Sequence, residues 1–398
     1  MSDAVILAVN IEAACENDGR QNPIYGATDM SLKRPAWPQG RTVILDHTSK
    51  VLVGNALGDP HQRKLAVWLP PQYDETQSMS RGKRFPVLYD LVGFTGSGLS
   101  HVNWRNFDEN IPERAARLIH EKKMGPVIIV FPDCFTALGG NQYINSSAIG
   151  NYADYLTKEL IPFVDKEFRT LASRDHRGCF GKSSGGYGAI IHGMQYAKYW
   201  GAVASHSGDA YFDFVYMHDW PNTLTELMKH RKLKREAGAI KVTKEEKGAA
   251  SGKDDGRVKN FLDSVWKKEK LSDGEGHGLM MIAMAASYDP DPKAPLGFRL
   301  PFNLETGERI ETRWKQWLKH DPIELVKKHR ANLKSLKGIF IDCGWRDQYH
   351  IHYGARILSK RMAAAKVKHT YEEFDDTHSG VDYRMERSLP FLYRALKP

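Results

Sequence analysis

The sequence predicts an α/β fold with a mostly parallel central sheet and helices on both faces. Apolar, strand-like runs alternate with helical stretches up to about residue 211 and again from 319 to 398. This alternation is typical of parallel sheets that are covered by helices on both sides. The chain has 398 residues and 41% of them are hydrophobic, enough for one large domain with an insertion or for two domains.

The elements follow in order along the chain. Residues 41–72 alternate in strand fashion around a Gly-Asn-Ala-Leu-Gly-Asp turn, which predicts an antiparallel hairpin. Further strands are predicted at 85–91, 126–133, 176–181, 201–208, 338–344 and 369–376. Helices are predicted at about 107–123, 149–168, 185–199, 321–334, 349–366 and 381–396.

The regular pattern breaks between residues 212 and 318, a charged, glycine-punctuated stretch with helical pieces. We therefore predict an N-terminal extension (1–40), a core in two parts (41–211 and 319–398) and an inserted helical cap (212–318). Residues 229–270 hold 14 Lys and Arg against 7 Asp and Glu, which is +7 of the net charge of +9. No nucleic-acid motif accompanies this charge, which favours a solvated surface over nucleic-acid binding.

Hydrophobic segments and cysteines indicate the cellular compartment of the protein and whether it forms disulfides. No apolar run approaches the roughly 18 residues of a membrane-spanning helix, and the N-terminus lacks the regions of a secretory signal. Cys15, Cys134, Cys179 and Cys343 are scattered, which favours buried free thiols over disulfides. We expect a cytoplasmic protein with no membrane and no nucleic-acid partner, and the composition leaves homo-oligomerisation open.

The stretch HRGCFGKSSGGYGAI, residues 176–190, contains two overlapping motifs. A phosphate-binding loop would require glycine at the position of His176. The alternative, G-x-S-x-G, fits the strand, turn and helix that present a nucleophilic serine. Because this turn is tight, the residues two before and two after the serine must be tiny; Gly181 and Gly185 meet that need and assign Ser183 as the nucleophile.

A nucleophilic serine needs a histidine and an acid, which follow it in the chain order serine, acid, histidine. Asp347 lies on the loop after the strand at 338–344, and His378 on the loop after the strand at 369–376. His378 would take the proton of Ser183, and Asp347 would hold the imidazole in the required tautomer. Weaker candidates for the acid are Asp342, Asp375 and Asp376.

Backbone N–H groups are expected to stabilise the negative charge that develops on the substrate oxygen. Ser184 follows the nucleophile at the start of a helix and supplies one of them. The second would come from the glycine-rich loop Val92–Gly98, from either Phe94 or Thr95.

With these motifs the chain resembles the esterase D and enterochelin-esterase-like family of α/β-hydrolases. The matching stretches include VWLPPQYD, RFPVLYDLVGFTGSG, NYADYLTKELIPFVDKEFRT, GKSSGGYGAI and CGWRDQY. The resemblance implies the α/β-hydrolase fold, Ser183, Asp347 and His378 as the triad, and an oxyanion hole at Ser184 with Phe94 or Thr95. The chain departs from the family by its long insertion and by Val92-Gly93 where His-Gly is frequent.

Other residues near strand ends are candidates for contact with the substrate: Gly93, Trp104, Tyr143, Asn145 and His206. Ser207 and Asp209, at the end of the same strand as His206, are also candidates to line the pocket, and a structural role for these three residues is an equally good interpretation. His350 and His352 are two residues apart on a predicted helix and do not share a face, so no metal is expected, and the chemistry needs no organic cofactor. We predict a serine carboxylesterase acting on a small-molecule ester; an acyltransferase with the same triad and a non-catalytic binding module are the alternatives.

Overall fold

The computed structural model describes residues 37–75, 82–231 and 254–398. An eight-stranded sheet has the order β1-β2-β4-β3-β7-β8-β9-β10, and a separate hairpin is formed by β5 and β6. β1 and β2 pair antiparallel, as do β2 and β4, and all other neighbours in the large sheet are parallel. The strands are β1 Arg41–Thr48, β2 Gln62–Leu69, β3 Val87–Leu91, β4 Ile128–Pro132, β5 Asn145–Ser146, β6 Gly150–Asn151, β7 Arg177–Lys182, β8 Ala202–His206, β9 Gly338–Gly344 and β10 Thr370–Phe374.

Helices connect the strands and build the segment between β8 and β9. A π-helical turn, Tyr155–Leu160, joins α3 to α4. The helices are α1 Gln72–Glu75, α2 Ile111–His120, α3 Tyr152–Asp154, α4 Ile161–Glu167, α5 Ser184–Gln195, α6 Phe212–Val215, α7 Trp220–Met228, α8 Arg257–Val265, α9 Asp273–Tyr288, α10 Glu311–Leu318, α11 Pro322–Leu325, α12 Arg330–Lys334, α13 Ile351–Ala364 and α14 Met385–Leu396.

Alternate residues of the strands feed two cores, one on each face of the sheet, because successive strand side chains point in opposite directions. Leu88 of β3 and Phe180 of β7 belong to the core that includes residues of α2 and α14. Tyr89 and Cys179, their neighbours, belong to the core that includes residues of α5. The predicted fold class is therefore confirmed: a mostly parallel sheet covered on both faces.

The predicted strands and the first hairpin are all present, and most differences concern the ends of helices. The helix expected at 321–334 is two short helices, α11 and α12, because His329, before α12, leaves the helical conformation at ψ 19°. Cys134, Cys179 and Cys343 are free and buried, as expected. Cys15, nearly all of the N-terminal extension and residues 232–253 of the basic segment lie outside the described residues.

The segment between β8 and β9 packs directly onto the central helix α5. The Asp321 carboxylate accepts the N–H groups of Tyr211 at 3.1 Å and Phe212 at 2.8 Å, so the exit of the segment is tied to its entry. The rings of Tyr288 and Tyr187 meet with centroids 5.8 Å apart. Trp37–Pro398 form one compact unit, and the division into core and cap stays a prediction.

Among the described residues, every helix is too short or too polar to cross a lipid bilayer.

Candidate active site

Ser183 occupies a strained turn between β7 and α5. Its backbone has φ 57° and ψ −127°, a conformation that costs about 1–3 kcal/mol for a residue with a side chain. Two backbone hydrogen bonds hold it: Ser183 N–H donates to the His206 carbonyl at 2.9 Å, and Tyr187 N–H donates to the Ser183 carbonyl at 2.9 Å. Such strain persists only where the surroundings determine the conformation, and it concentrates at functional sites.

The glycines on either side of Ser183 allow this turn to form. A Cβ at Gly181 or at Gly185 would overlap the carbonyl oxygen of Leu91 on the adjacent strand β3. Two residues without side chains are therefore required at these positions, which is the requirement that the motif predicted.

Asp347 and His378 form a buried pair on the loops after the neighbouring strands β9 and β10. His378 Nδ1 lies 2.7 Å from Asp347 Oδ2, and the other carboxylate oxygen accepts the Tyr349 N–H at 2.9 Å. The Cys343 thiol adds a weak contact to Oδ2 at 3.6 Å. Burial raises the pKa of Asp347, but the hydrogen bond and the charge of His378 outweigh it and leave the pKa below its usual value. The acid is therefore ionised and fixes the orientation of the imidazole.

The acid and histidine loops are also joined to each other. The Gln348 side-chain oxygen accepts the His378 N–H at 2.9 Å, and Arg346 N–H donates to the Asp376 carbonyl at 3.0 Å. Of the weaker acid candidates, Asp342 bonds to His206 instead, and Asp375 is exposed. The structure thus brings Asp347, of the four acids considered, to His378.

The Ser183 hydroxyl has no hydrogen-bond partner within residues 37–75, 82–231 and 254–398. Hydrogen bonds between a catalytic serine and its base are often long without substrate and shorten when one binds. The serine, the acid and the histidine all lie at the carboxyl edge of the parallel strands, where such sheets bind their ligands.

The glycine-rich loop after β3 lies against the nucleophile. A Cβ on Gly93 would be 3.5 Å from Ser183 Cβ. Gly96 N–H donates to the Gly93 carbonyl at 3.2 Å, so Phe94 and Thr95 are the central residues of a turn. Among the described residues, neither of their N–H groups has an acceptor. Ser184 is the first residue of α5, where N–H groups have no acceptor within the helix. Both sources predicted for an oxyanion hole therefore lie beside Ser183.

Two polar residues lie beside Ser184. Gln142 was not among the predicted site residues, whereas Asp209 was considered as a residue that could line the pocket. Gln142 Nε2 donates to Ser184 Oγ at 2.9 Å and approaches Asp209 Oδ2 at 3.4 Å. The Tyr216 hydroxyl also donates to Asp209 Oδ2, at 2.8 Å. Burial raises the pKa of Asp209 to about 6, against the opposite effects of Tyr216 and His378. Asp209 was considered because it follows a strand, whereas nothing in the sequence singles out Gln142.

Three of the predicted substrate contacts form hydrogen bonds within the protein. The Tyr143 hydroxyl donates to the Val92 carbonyl at 2.5 Å beneath the glycine-rich loop, and its side chain is buried. The Asn145 side-chain oxygen accepts the Asp154 N–H at 3.1 Å in the β5–β6 region. The His206 ring is 1% exposed with both nitrogens bonded inside the protein. Of the other two, Gly93 lies at the nucleophile and Trp104 is exposed on the loop that follows β3.

The segment between β8 and β9 contributes His218, Asp219 and His277 to a wall beside His378, and Tyr349, on the loop after β9, completes it. We call these four residues the histidine wall. The Tyr349 ring meets the His378 ring edge-on with centroids 4.8 Å apart, and the rings of His218 and His277 lie 6.1 and 6.0 Å from Tyr349. Asp219 lies between His277 Nδ1, at 3.2 Å, and His218 Nε2, at 3.4 Å. Across the described residues, no three His, Cys, Asp or Glu side chains are grouped to hold a metal, and His350 and His352 form no such group.

Fold and site together define the class. A mostly parallel sheet with a serine at a strained strand–helix turn, and an acid and a histidine at two later strand ends, is the architecture of the α/β-hydrolases. The family model described as "Putative esterase" matches residues 55–386, and the chain belongs to this family.

Curated relatives agree with the family, and solved structures agree with the fold. Esterase Rv1288 and Esterase MT1326, both of Mycobacterium tuberculosis, are 33% identical over 165 residues, which is 39% of this chain and 32% of theirs. The chain therefore matches about a third of the length of these curated relatives. A ferulic acid esterase structure has TM-score 0.53 at 18% identity and covers 90% of this chain and 99% of its own. Staphylococcus aureus FphF, a fluorophosphonate-binding serine hydrolase, has TM-score 0.51 at 15% identity, with 89% and 98% covered. At these identities the structures support the fold alone.

Proposed function

We propose that this protein is a serine carboxylesterase that hydrolyses a small-molecule ester through an acyl-enzyme on Ser183. The observation that carries the proposal is the buried Asp347–His378 hydrogen bond at the same sheet edge as the strained serine turn. Membership of an esterase family supports the same reaction class.

In the first half of the reaction, His378 Nε2 takes the hydroxyl proton while Ser183 Oγ attacks the ester carbonyl carbon. The carbonyl oxygen becomes negatively charged and accepts hydrogen bonds from the Ser184 N–H and from the N–H of Phe94 or Thr95. His378 then gives its proton to the alcohol oxygen as the ester C–O bond breaks. The alcohol leaves, and the acyl group remains on Ser183.

In the second half, water takes the place of the alcohol. His378 removes a proton from the water, whose oxygen attacks the acyl carbon, and then returns that proton to Ser183 Oγ as the acid leaves. Asp347 stays ionised throughout and stabilises the imidazolium that forms twice in the cycle. The lowered pKa of Asp347 supports this role.

The histidine wall defines the side of the site on which we expect the alcohol. Because His378 protonates the departing oxygen, the groups beside its ring are closest to the alcohol part of the ester. Tyr349 and the two histidines are donors or acceptors of hydrogen bonds and present ring faces, which suits an alcohol with polar groups on a ring or chain. The wall lies in and beside the insertion, which distinguishes this chain within the family resemblance.

The test compares wild type with Ser183→Ala on p-nitrophenyl esters from acetate to palmitate and on methyl ferulate. We expect turnover by wild type and loss of at least about 10³-fold in the variant, because the nucleophile is absent. The matched control is Ser147→Ala, at an exposed serine on the loop between β5 and β6.

Labelling with a fluorophosphonate, followed by peptide mass analysis, identifies the reactive serine directly. An adduct on Ser183 in wild type, together with loss of turnover in Ser183→Ala, is the expected pair of results. Undiminished turnover in Ser183→Ala, or an adduct on a different serine, would overturn the proposal. Addition of methanol reports acyl transfer as methyl ester, which measures how well an alcohol competes with water.

A further inference from the structure

A second set of serine, histidine and aspartate lies beneath the candidate active site. His206 Nδ1 is 2.6 Å from Asp342 Oδ1, and His206 Nε2 is 2.7 Å from Ser388 Oγ. The hydrogen bonds run from serine to histidine to aspartate, as in a catalytic triad. None of the three residues, however, is more than 1% exposed. An inaccessible serine cannot attack a substrate, and burying polar groups is unfavourable unless they bond to one another. These three residues can therefore act only by positioning other parts of the site.

The buried set is connected to the nucleophile through the backbone of His206. The His206 carbonyl accepts the Ser183 N–H at 2.9 Å, which extends the β7–β8 ladder by one bond into the turn. The first turn of α5 rests on the same carbonyl, since a Cβ on Gly186 would be only 2.7 Å from the His206 oxygen. The carbonyl of one residue thus fixes the distance between the turn and strand β8.

The buried set is connected to the histidine loop as well. Arg384, in the segment that follows His378, donates from Nε to Asp342 Oδ2 at 2.9 Å and from Nη2 to Glu372 at 2.7 Å. Asp342 therefore has one oxygen on His206 and the other on Arg384. The same carboxylate ties the strand that supports Ser183 to the loop that carries His378.

We infer that His206 is a positioning residue for the nucleophile, held by Asp342, Ser388 and Arg384. The inference rests on the proposed function, in which Ser183 is the attacking group. The backbone of Ser183 is strained, so its geometry persists only while its neighbours determine it. Both ring nitrogens of His206 are bonded, which prevents the ring, and with it the carbonyl bound to Ser183, from shifting.

The perturbation is His206→Phe, which keeps a flat ring but removes both bonds. We expect kcat to fall about 10- to 100-fold, the loss that follows when a reacting group is displaced by about 1 Å. KM should stay within about twofold, since the ring does not touch substrate. His206→Asn should recover most of kcat, because an amide nitrogen can replace Nδ1 and donate to Asp342.

The matched control is His369→Phe. His369 also has both ring nitrogens bonded, to Ser359 Oγ at 2.8 Å and to the Val367 carbonyl at 2.9 Å. It precedes β10 and so lies at the opposite edge of the sheet. The control should lose thermal stability like His206→Phe but keep kcat. If His206→Phe does not fold, Ser388→Ala removes only one of the two bonds and should lower kcat by a smaller factor.

The rate of fluorophosphonate labelling of Ser183 is measured beside turnover, because it reports the serine without an ester substrate. A lower maximal labelling rate in His206→Phe, at unchanged reagent affinity and with recovery in His206→Asn, is the expected result. A raised KM with normal kcat, or a loss no larger than in His369→Phe, would overturn the inference. If wild type is labelled but hydrolyses no ester, the esterase proposal alone is refuted. If wild type shows neither labelling nor turnover, the esterase proposal and the inference on His206 are refuted together.

Discussion

Asp209→Asn should stabilise the protein at neutral and alkaline pH but not in acid. Burial raises the pKa of Asp209 to about 6, whereas an unfolded Asp titrates near ~3.9. The difference of about 2 units, at about 1.4 kcal/mol each, means that the ionised carboxylate costs the folded state up to ~3 kcal/mol. Both hydrogen bonds to Asp209, from Tyr216 and from Gln142, end on the same oxygen. An amide oxygen can take that place, so the substitution removes the charge and keeps the bonds.

The direction of the pH effect follows from proton binding. Below pH 4 the carboxyl is protonated in both states, and wild type and variant should be about equally stable. Between about pH 4 and pH 6 the unfolded state releases its proton first, so wild-type stability falls as the pH rises. Above pH 6 the cost is fully present, and the variant should be more stable by about 1–3 kcal/mol.

Urea unfolding at pH 4.5, 6 and 8 measures this difference. Asp375→Asn is the control, because the Asp375 side chain is 72% exposed. Removal of its charge should change stability little at any of the three pH values. A variant that is equally stable or less stable than wild type at pH 8 would refute the reasoning. So would a gain that is the same at pH 4.5 as at pH 8, because the effect would then be independent of ionisation.

Two further substitutions test the proposed triad acid, Asp347, and the strained turn at Ser183. Asp347→Asn should lower kcat by about 10⁴ while the fold is kept, as when the tautomer of the histidine is no longer fixed. Because folding lowers the pKa of Asp347, wild type should also lose stability relative to this variant as the pH falls below about 4. Acid unfolding followed by circular dichroism measures this loss. A kcat equal to that of wild type would contradict the assignment of Asp347 as the acid. Gly185→Ala should abolish folding or lower the free energy of unfolding by more than about 3 kcal/mol, because the new Cβ would overlap the Leu91 carbonyl. The control is Gly276→Ala, in helix α9 with open space around it, which should be neutral or stabilising by up to about 1 kcal/mol. The same urea titration measures both.

Much of the fold could be predicted because each strand of the parallel sheet is a short apolar run bounded by polar turns. The same logic selected Ser183, Asp347 and His378 as candidates, since each is a reactive residue type just after a strand. The sheet order could not be predicted, because nothing local in β3 or β4 states that β4 lies between β2 and β3. The histidine wall was missed for the same reason: Asp219, His277 and Tyr349 are distant in sequence and are brought together by the packing of the insertion.

The burial of Tyr143, one of the predicted substrate contacts, has a local cause. This residue has φ 58°, a left-handed conformation that a bulky side chain adopts only when tertiary contacts impose it. Its hydroxyl bonds to the Val92 carbonyl, and its own carbonyl is 2.9 Å from His192 Nε2, which together supply those contacts. The reversed backbone turns Tyr143 under the glycine-rich loop and leaves the preceding residue, Gln142, facing Ser184. Reasoning from residue types at strand ends assumes an ordinary loop, so it could not anticipate that Tyr143 is buried or that Gln142 is bonded to Ser184, the candidate oxyanion residue.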